Sequence, residues 1–367
     1  MLVTVIIPVF NTRPDLIERA VGSALAQTHP HLELLIVDDG SAAELGMFLD
    51  SVSERDRRIR VLHRTNGGVS AARNTGIENA LGEFIAYLDA DDYLEPYFLS
   101  SALGVVGITE ADAVFGGIRL LSKSGEVEWR TGGPPASKPL LSTADIIVDA
   151  CVRALSDSPS PNHSTQLLSV TNVVACLYRA NTARLHRFSE GVSHAEDRLH
   201  NVHVLLDVSR VAFCSDVWYV YDATHDQGVT RRATTRTVSA LARTVGEFAK
   251  LGELISSNPA LPDNARHQIL QAAAEGVFNY IKILSGVMAA VGRHRKNRTL
   301  LGQLLAEPSV SATIARANQP GWQNRVFSLA ARYRQVDLLL LLGWFWMRTR
   351  GFRMSVERPR RRDQDSD

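Results

Sequence analysis

Between Val3 and Leu121 the chain alternates short β-branched runs with segments whose apolar residues recur at helical intervals, and no other feature constrains the fold as tightly. Residues 3–9, 32–37, 59–63, 84–88 and 113–121 read as strands. Strands separated by helices need crossover connections, so the rhythm predicts an α/β fold with helices packed on a mostly parallel sheet. Thr12 with Asp15, and Ser41 with Glu44, have the spacing of capping boxes and are expected to open the first two helices.

Ligands of open α/β sheets sit beyond the carboxyl ends of the strands. Here those ends read Pro8-Val9-Phe10-Asn11, Asp38-Asp39-Gly40-Ser41, Arg64-Thr65-Asn66-Gly67-Gly68 and Asp89-Ala90-Asp91-Asp92, so acid and glycine gather along one edge. Asp89 and Asp91 stand one residue apart and can face the same side. Two like charges held together call for a cation between them or for open water.

Beyond residue 121 the pattern loosens. Gly/Pro/Ser-rich stretches at 132–137 and 156–164 read as loops over the sheet edge, suited to a lid or an acceptor loop. A strand leading into a short helix is expected over 170–179, then the turn Phe188-Ser-Glu-Gly191 and a helix opening at Ala195-Glu196-Asp197-Arg198. Strand character resumes at 210–213 and 218–221. After Thr235 the period is helical, over 238–255, 265–291, 299–305 and 327–347, punctuated by Pro259, Pro262, Pro308 and Pro320. The expected division is a domain over 1–232, a helical region over 233–347 and a basic tail over 348–367.

Composition excludes several classes. A formal charge of +1 argues against a general nucleic-acid binder. Cys151, Cys176 and Cys214 are far apart and lack any CxxC, so neither a disulfide framework nor a zinc site is expected. No basic, apolar leader precedes the first strand and no apolar run nears the roughly 18 residues of a membrane span, so the expected location is the cytoplasm. The apolar run 338–347 precedes seven arginines between Arg348 and Arg362, against the single acid Glu357. Such a pair can seat a helix at the inner face of an anionic membrane; a buried last helix is the plainer reading, and the helical region could also serve oligomerisation.

Taken in order, PVFN, LLIVDDGS, NGGVSAARNTG and FIAYLDADD, each at or just after a strand end, resemble the family 2 glycosyltransferases of the GT-A fold over residues 3 to about 230. The resemblance implies that Pro8, Val9, Phe10 and Asn11 wrap the nucleobase and ribose, and that Asp39 accepts a hydrogen bond from the base, commonly uracil. An Asx-turn residue before Gly40 is the plainer reading of either Asp38 or Asp39. Gly67 and Gly68 would let backbone approach the nucleotide, and Arg73 would reach the nucleotide or phosphates. Asp89 and Ala90 are implied near the ribose, with Asp89 and Asp91 holding Mn²⁺ or Mg²⁺ against the diphosphate of a UDP-sugar. Asp197 is implied as the base that deprotonates the acceptor, with Glu196 orienting it, although acids also favour any helix start. His225, in the stretch Tyr221 to Thr230 that resembles the segment closing over the diphosphate, would complete the metal shell.

The implied activity is inverting, metal-dependent transfer of a sugar to a hydroxyl of a glycan, with a looser likeness to bacterial enzymes that decorate cell-envelope polymers. The QxxRW signature of the family's processive polymerases is not in the sequence, so transfer of single sugars is expected. A nucleotidyltransferase would want a glycine-rich, cationic phosphate loop after the first strand, and Pro8 to Thr12 offers none. An inactive sugar-nucleotide-binding module would not need Asp39, Asp91 and Asp197 together, and a dinucleotide oxidoreductase would need GxGxxG in the first turn.

Overall fold

The apolar runs β1 (Val3–Val9) and β2 (Leu32–Asp38) are buried along nearly their whole length, as strands covered on both faces by helices must be. The computed structural model describes residues 1–122, 125–129, 137, 139–141, 144–155, 168–192, 194–208, 210–225, 232–233, 235–291, 294–316, 322–349 and 355–356. These form two units, residues 1–226 with 255–273, and residues 227–254 with 274–367. The loops expected at 132–137 and 156–164 lie, residue 137 apart, outside the described residues, as does nearly all of the basic tail.

In the first unit α1 (Pro14–Leu25), α2 (Ala43–Ser53), β3 (Ile59–His63), α3 (Val69–Asn79), β4 (Phe84–Tyr87), β5 (Tyr93–Leu94) and α4 (Phe98–Thr109) follow in turn. The chain steps outward from β1 to β2 to β3, then returns to lay β4 on the other flank of β1, all four strands parallel. That reversal opens a crevice at the carboxyl ends of β1 and β4, where Pro8 to Asn11 and Asp89 to Asp92 stand.

The remaining strands make the sheet mixed. β6 (Ala113–Ser122), β7 (Gly125–Trp129), β8 (Leu140–Leu141) and α5 (Ala144–Leu155) lead to a 3₁₀ turn at Leu168–Thr171, β9 (Cys176–Arg179), α6 (Ala180–Leu185), α7 (Glu196–Asp207) and β10 (Val211–Asp222). β9 lies antiparallel between β4 and β6, and β10 runs parallel to β6 with β5 antiparallel on its far side. The two strand segments expected at 210–213 and 218–221 are one strand: β10 is continuous, with register shifts between Phe213 and Val217 and between Val217 and Tyr219 that break its alternation. The kink turns Trp218 fully inward over Gly116, where any Cβ would lie 2.1 Å from the indole. The strand expected from 170 begins only at Cys176.

The capping boxes are not formed. Pro14 fixes the first turn of α1, so its N-cap is Arg13, and Asp15 pairs with Arg13 rather than reaching Thr12. The N-cap of α2 is Ala42, whose N–H donates to Asn11 Oδ1 at 3.0 Å, a cap supplied from the end of β1.

In the second unit β11 (Arg232–Ala233) pairs with β12 (Ser355–Val356); α10 (His294–Ala306), α11 (Pro308–Arg316), α12 (Trp322–Arg332) and α13 (Val336–Thr349) lie wholly in it, whereas α8 (Thr235–Ser257) ends in the first unit and α9 (Asp263–Val291) begins there. The single helix expected over 327–347 is two, broken where Arg334 takes a left-handed conformation with φ 53°. α11 was not expected; Pro308, read as punctuation, is its first residue. α9 is long and apolar enough by length and composition to cross a bilayer, contrary to the expectation of no such run, but 61% of that stretch is buried in the structure.

Candidate active site

The loops after β1, β2 and β3 are knitted by backbone-directed bonds. Asn11 N–H donates to Ser41 Oγ at 3.1 Å, returning the bond that Asn11 makes to Ala42. Asp38 braces the turn after β2: its Oδ1 accepts the Ser41 N–H, three residues on, at 2.9 Å and its Oδ2 faces His63 Nδ1 at 2.8 Å. Asp39 does something else. Its buried carboxylate accepts the Gly67 and Gly68 N–H groups at 3.0 and 2.7 Å and pairs with the Arg64 guanidinium. Gly40, at φ +76°, lets that corner turn; a Cβ there would stand 2.7 Å from the Asn66 backbone nitrogen. Phe10 is exposed beside this frame, while Val9 is buried beneath it.

At the end of β4 the acidic triplet is clamped from behind. Arg19 of α1 donates to the Asp91 carbonyl at 2.5 Å and pairs with Asp222, so the loop is tied to both α1 and β10. Asp92 points inward, accepting the Tyr219 hydroxyl at 2.6 Å and the Asp222 N–H at 2.8 Å. Asp89 and Asp91 remain at the cleft, Asp89 half-buried and Asp91 exposed, and Ala90 is buried between them. Partial desolvation and the neighbouring Asp89 charge raise the Asp91 pKa.

Burial and the Asp89 and Asp91 charges push Asp92 up to about 8. An unfolded Asp titrates near about 3.9, so between about pH 4 and 8 the native state holds a proton that the unfolded state has lost. Stability therefore falls as pH rises through that window, by up to about 1.4 kcal/mol per pH unit from this residue. Urea melts across pH 4–8 should show a shallower slope for Asp92→Asn than for the native chain; parallel slopes would remove Asp92 from this role.

Arg73 of α3 connects the two sides of the cleft. Its side chain is 3% exposed, with Nη2 at 3.0 Å from Asp89 Oδ1 and Nη1 at 2.7 Å from Asp197 Oδ1 and 3.9 Å from Glu196 Oε1. The guanidinium lies 5.2 Å from the Phe188 ring, itself stacked on the buried His200 at 4.1 Å. Burial works against the Arg73 charge, but the carboxylates of Asp197, Asp89 and Glu196 outweigh it and hold its pKa above the ordinary value. Burial, opposed by Arg73 and reinforced by Asp89, raises Asp197; burial and the Asp197 charge raise Glu196. Asp197 Oδ2 also accepts the Val173 N–H at 3.3 Å, which fixes the rotamer from the 3₁₀ side.

The structure thus brings Asp89, Asp197 and Glu196 together through Arg73, with Asp91 one residue from Asp89. Arg73, expected to face phosphates, spends its guanidinium on carboxylates, and Asp39, expected to meet a base, already accepts three donors. The side chain of His225 and residues 226–230 lie outside the described residues. Sequence reasoning missed the roles of Arg19, Tyr219 and Asp222, whose signal was only a polar group on an otherwise apolar strand or helix face, and of Asp92, visible only as one more acid at the end of β4.

Among the described residues no group of three or more His, Cys, Asp or Glu is arranged to hold a metal ion. A divalent cation still fits the chemistry. Asp89 and Asp91 offer hard oxygen donors, and Mg²⁺-type ions are commonly held by one or two carboxylates together with substrate phosphates.

Residues 4–152 match the model of glycosyl transferase family 2. An uncharacterized glycosyltransferase of Bacillus subtilis (strain 168), EpsJ, is 29% identical over 222 residues, 60% of this chain and 60% of EpsJ. GlyG of Streptococcus pneumoniae serotype 4, a glycosyltransferase, is 38% identical over 116 residues, 31% of this chain and 38% of GlyG. The matches thus span less than two thirds of these relatives' own length. A crystal structure of S. aureus TarS 1–349 in complex with UDP-GlcNAc superposes with a TM-score of 0.67 at 17% identity, covering 96% of this chain and 92% of that one. The α/β architecture is therefore GT-A with a helical C-terminal region, and residues 4–152 are similar to glycosyl transferase family 2.

Proposed function

We propose that the chain is an inverting, metal-dependent, non-processive glycosyltransferase that moves a sugar from a nucleoside diphosphate sugar to a hydroxyl of a glycan or cell-envelope polymer. The observation that carries this reading is the Arg73 bridge, which holds a donor-side carboxylate, Asp89, and an acceptor-side carboxylate, Asp197, in one cleft. UDP is favoured as the carrier by the TarS complex, and a glycan acceptor by relatives such as the succinoglycan biosynthesis protein ExoW of Rhizobium meliloti (strain 1021), 36% identical over 118 residues. The proposed catalytic domain spans 1–232, followed by the helical region 233–347 and the tail 348–367, and works in the cytoplasm.

In this reading Pro8 to Asn11, with exposed Phe10, hold the base and ribose, and Asp39 keeps the Gly67-Gly68 turn open for the nucleotide. The acceptor oxygen bonds to the anomeric carbon as the bond to the diphosphate oxygen breaks; the hydroxyl proton passes to Asp197 and the electron pair leaves with the diphosphate. A raised pKa suits Asp197 to that transfer, because a base works best when its pKa approaches the operating pH. Glu196 orients the acceptor. Mn²⁺ or Mg²⁺, held by Asp89 and Asp91, would supply charge neutralisation for the departing diphosphate. His225 is proposed as a further ligand.

Thermal melts against a panel of UDP- and GDP-sugars, with Mn²⁺ or with EDTA, test the reading. A ligand at about 100 times its Kd adds about 2.7 kcal/mol to native stability. We expect a UDP-sugar with Mn²⁺ to raise the Tm, and Asp91→Asn to remove the Mn²⁺-dependent part. If no nucleotide sugar shifts the melt under either condition, the reading fails.

A further inference from the structure

The formal charge of +1 conceals a strong polarity. Residues 292–367 carry fifteen Lys and Arg against six Asp and Glu, a net of +9, while residues 1–291 carry −8. Part of that positive excess is exposed on α12, at Arg325 and Arg332, and in the turn after it, at Arg334. The nearby acid Asp337 is paired with Arg298 at 2.6 Å.

Beside these cations two apolar stripes are exposed among the described residues of the second unit. On α12 Phe327, Ala330 and Ala331 are buried, yet Val326 and Leu329, with Tyr333 in the turn that follows, face outward, Leu329 52% and Tyr333 72% exposed. On α13 Leu339, Leu340 and Gly343 are buried, while Leu338, Leu341 and Phe345 face outward, Leu341 62% and Phe345 58% exposed. Both outward sets run i, i+3, i+7, so each helix has an inner apolar face and an outer one. Single exposed apolar side chains are ordinary on a protein surface; two successive helices with periodic outer stripes are not.

We propose that the outer faces of α12 and α13 dock on an anionic lipid surface. Leucine, tyrosine and phenylalanine enter the boundary between headgroups and acyl chains, while Arg325, Arg332 and Arg334 beside them pair with headgroup phosphates. A second copy of the chain is the poorer occupant, because the exposed Arg325, Arg332 and Arg334 beside these faces would meet the same cations on the partner. Nucleic acid would use the arginines but give Leu341 and Phe345 no partner. α9 is not the anchor, since most of its apolar stretch is already buried. Nothing in this inference depends on the transfer chemistry, and it can stand or fall separately.

The test is flotation of the full chain with vesicles of phosphatidylglycerol and phosphatidylcholine, against vesicles of phosphatidylcholine alone. Binding should need phosphatidylglycerol and weaken with added salt. Leu341→Ser with Phe345→Ser should weaken it about tenfold or more, from the apolar burial lost. Arg325→Glu with Arg334→Glu should weaken it about tenfold or more, from the lost attraction to anionic headgroups. All four side chains are exposed, so circular dichroism melts of both variants should match the native chain; the nucleotide-sugar shift should also be unchanged, which separates this outcome from failure of the transferase reading. The inference is overturned if the native chain stays with the lipid-free fraction, if the serine variant binds as well as the native chain, or if sedimentation shows a dimer that the serine variant dissolves.

Discussion

Asp197→Asn should lower turnover by about 10²- to 10⁴-fold, the usual worth of a positioned general base, while leaving the nucleotide-sugar melting shift in place. The amide has nearly the same shape and can still accept the Val173 N–H, so the start of α7 keeps its geometry. It cannot take a proton from an acceptor hydroxyl. Arg73 retains Asp89 at 3.0 Å and Glu196 at 3.9 Å, so the guanidinium is not abandoned. Initial rates with saturating donor, read beside the thermal shift, decide the matter; turnover within a few-fold of the native chain would remove Asp197 from the base role. In the native chain the same assignment makes the rate fall on the acid side as Asp197 protonates, and burial together with the Asp89 charge places that limb above the range of an ordinary aspartate.

Arg73→Gln should be the most destabilising single change in the cleft. It leaves Asp89, Asp197 and Glu196 without their shared cation, and stripping one partner from a buried ion pair typically costs about 3–5 kcal/mol. The loss should deepen with pH. Without the guanidinium the folded pKa values of Asp197 and Glu196 rise further above their unfolded values, so the native state holds protons that the unfolded state has released, and stability declines as pH climbs from about 4. Adding Asp197→Asn should recover part of the loss, because the two residues interact directly. Urea melts of the two single variants and the double at acid and neutral pH measure both effects. A loss under about 1 kcal/mol that does not change with pH would mean that solvent, not Arg73, balances these carboxylates.

The fold was legible where a short run of β-branched and apolar residues is bounded by turn residues. β1 and β3 begin and end where the residues place them, and β2, β4 and β6 differ by a residue. The reading failed where tertiary structure overrides local pattern. β10 looked like two strands because register shifts interrupt its alternation, and Pro308 looked like a break because a helix's first turn tolerates the residue that breaks its interior. The capping residues were misread because Asn11, thirty-one positions away, supplies the bond. In the site, strand-end acids were visible in the sequence because the α/β topology says where to look. The partners of Arg73 were not, since a lone arginine within a helix carries no mark of the carboxylates 16 and 124 positions away that it will meet.

The family match ends at residue 152, but the loop that presents Asp91 is secured by Tyr219 and Asp222, 127 and 130 positions beyond Asp92. Closing so long a span is slow, since its entropy must be lost before the contacts form. As the chain leaves the ribosome, β1 to β4 can pair early, with Arg19 holding one side of the acidic loop, yet its bonds from Tyr219 and Asp222 can form only once β10 has been made. The order of synthesis thus makes the acidic corner a late-maturing part of the fold, with the scaffold standing well before the groups it was built to present.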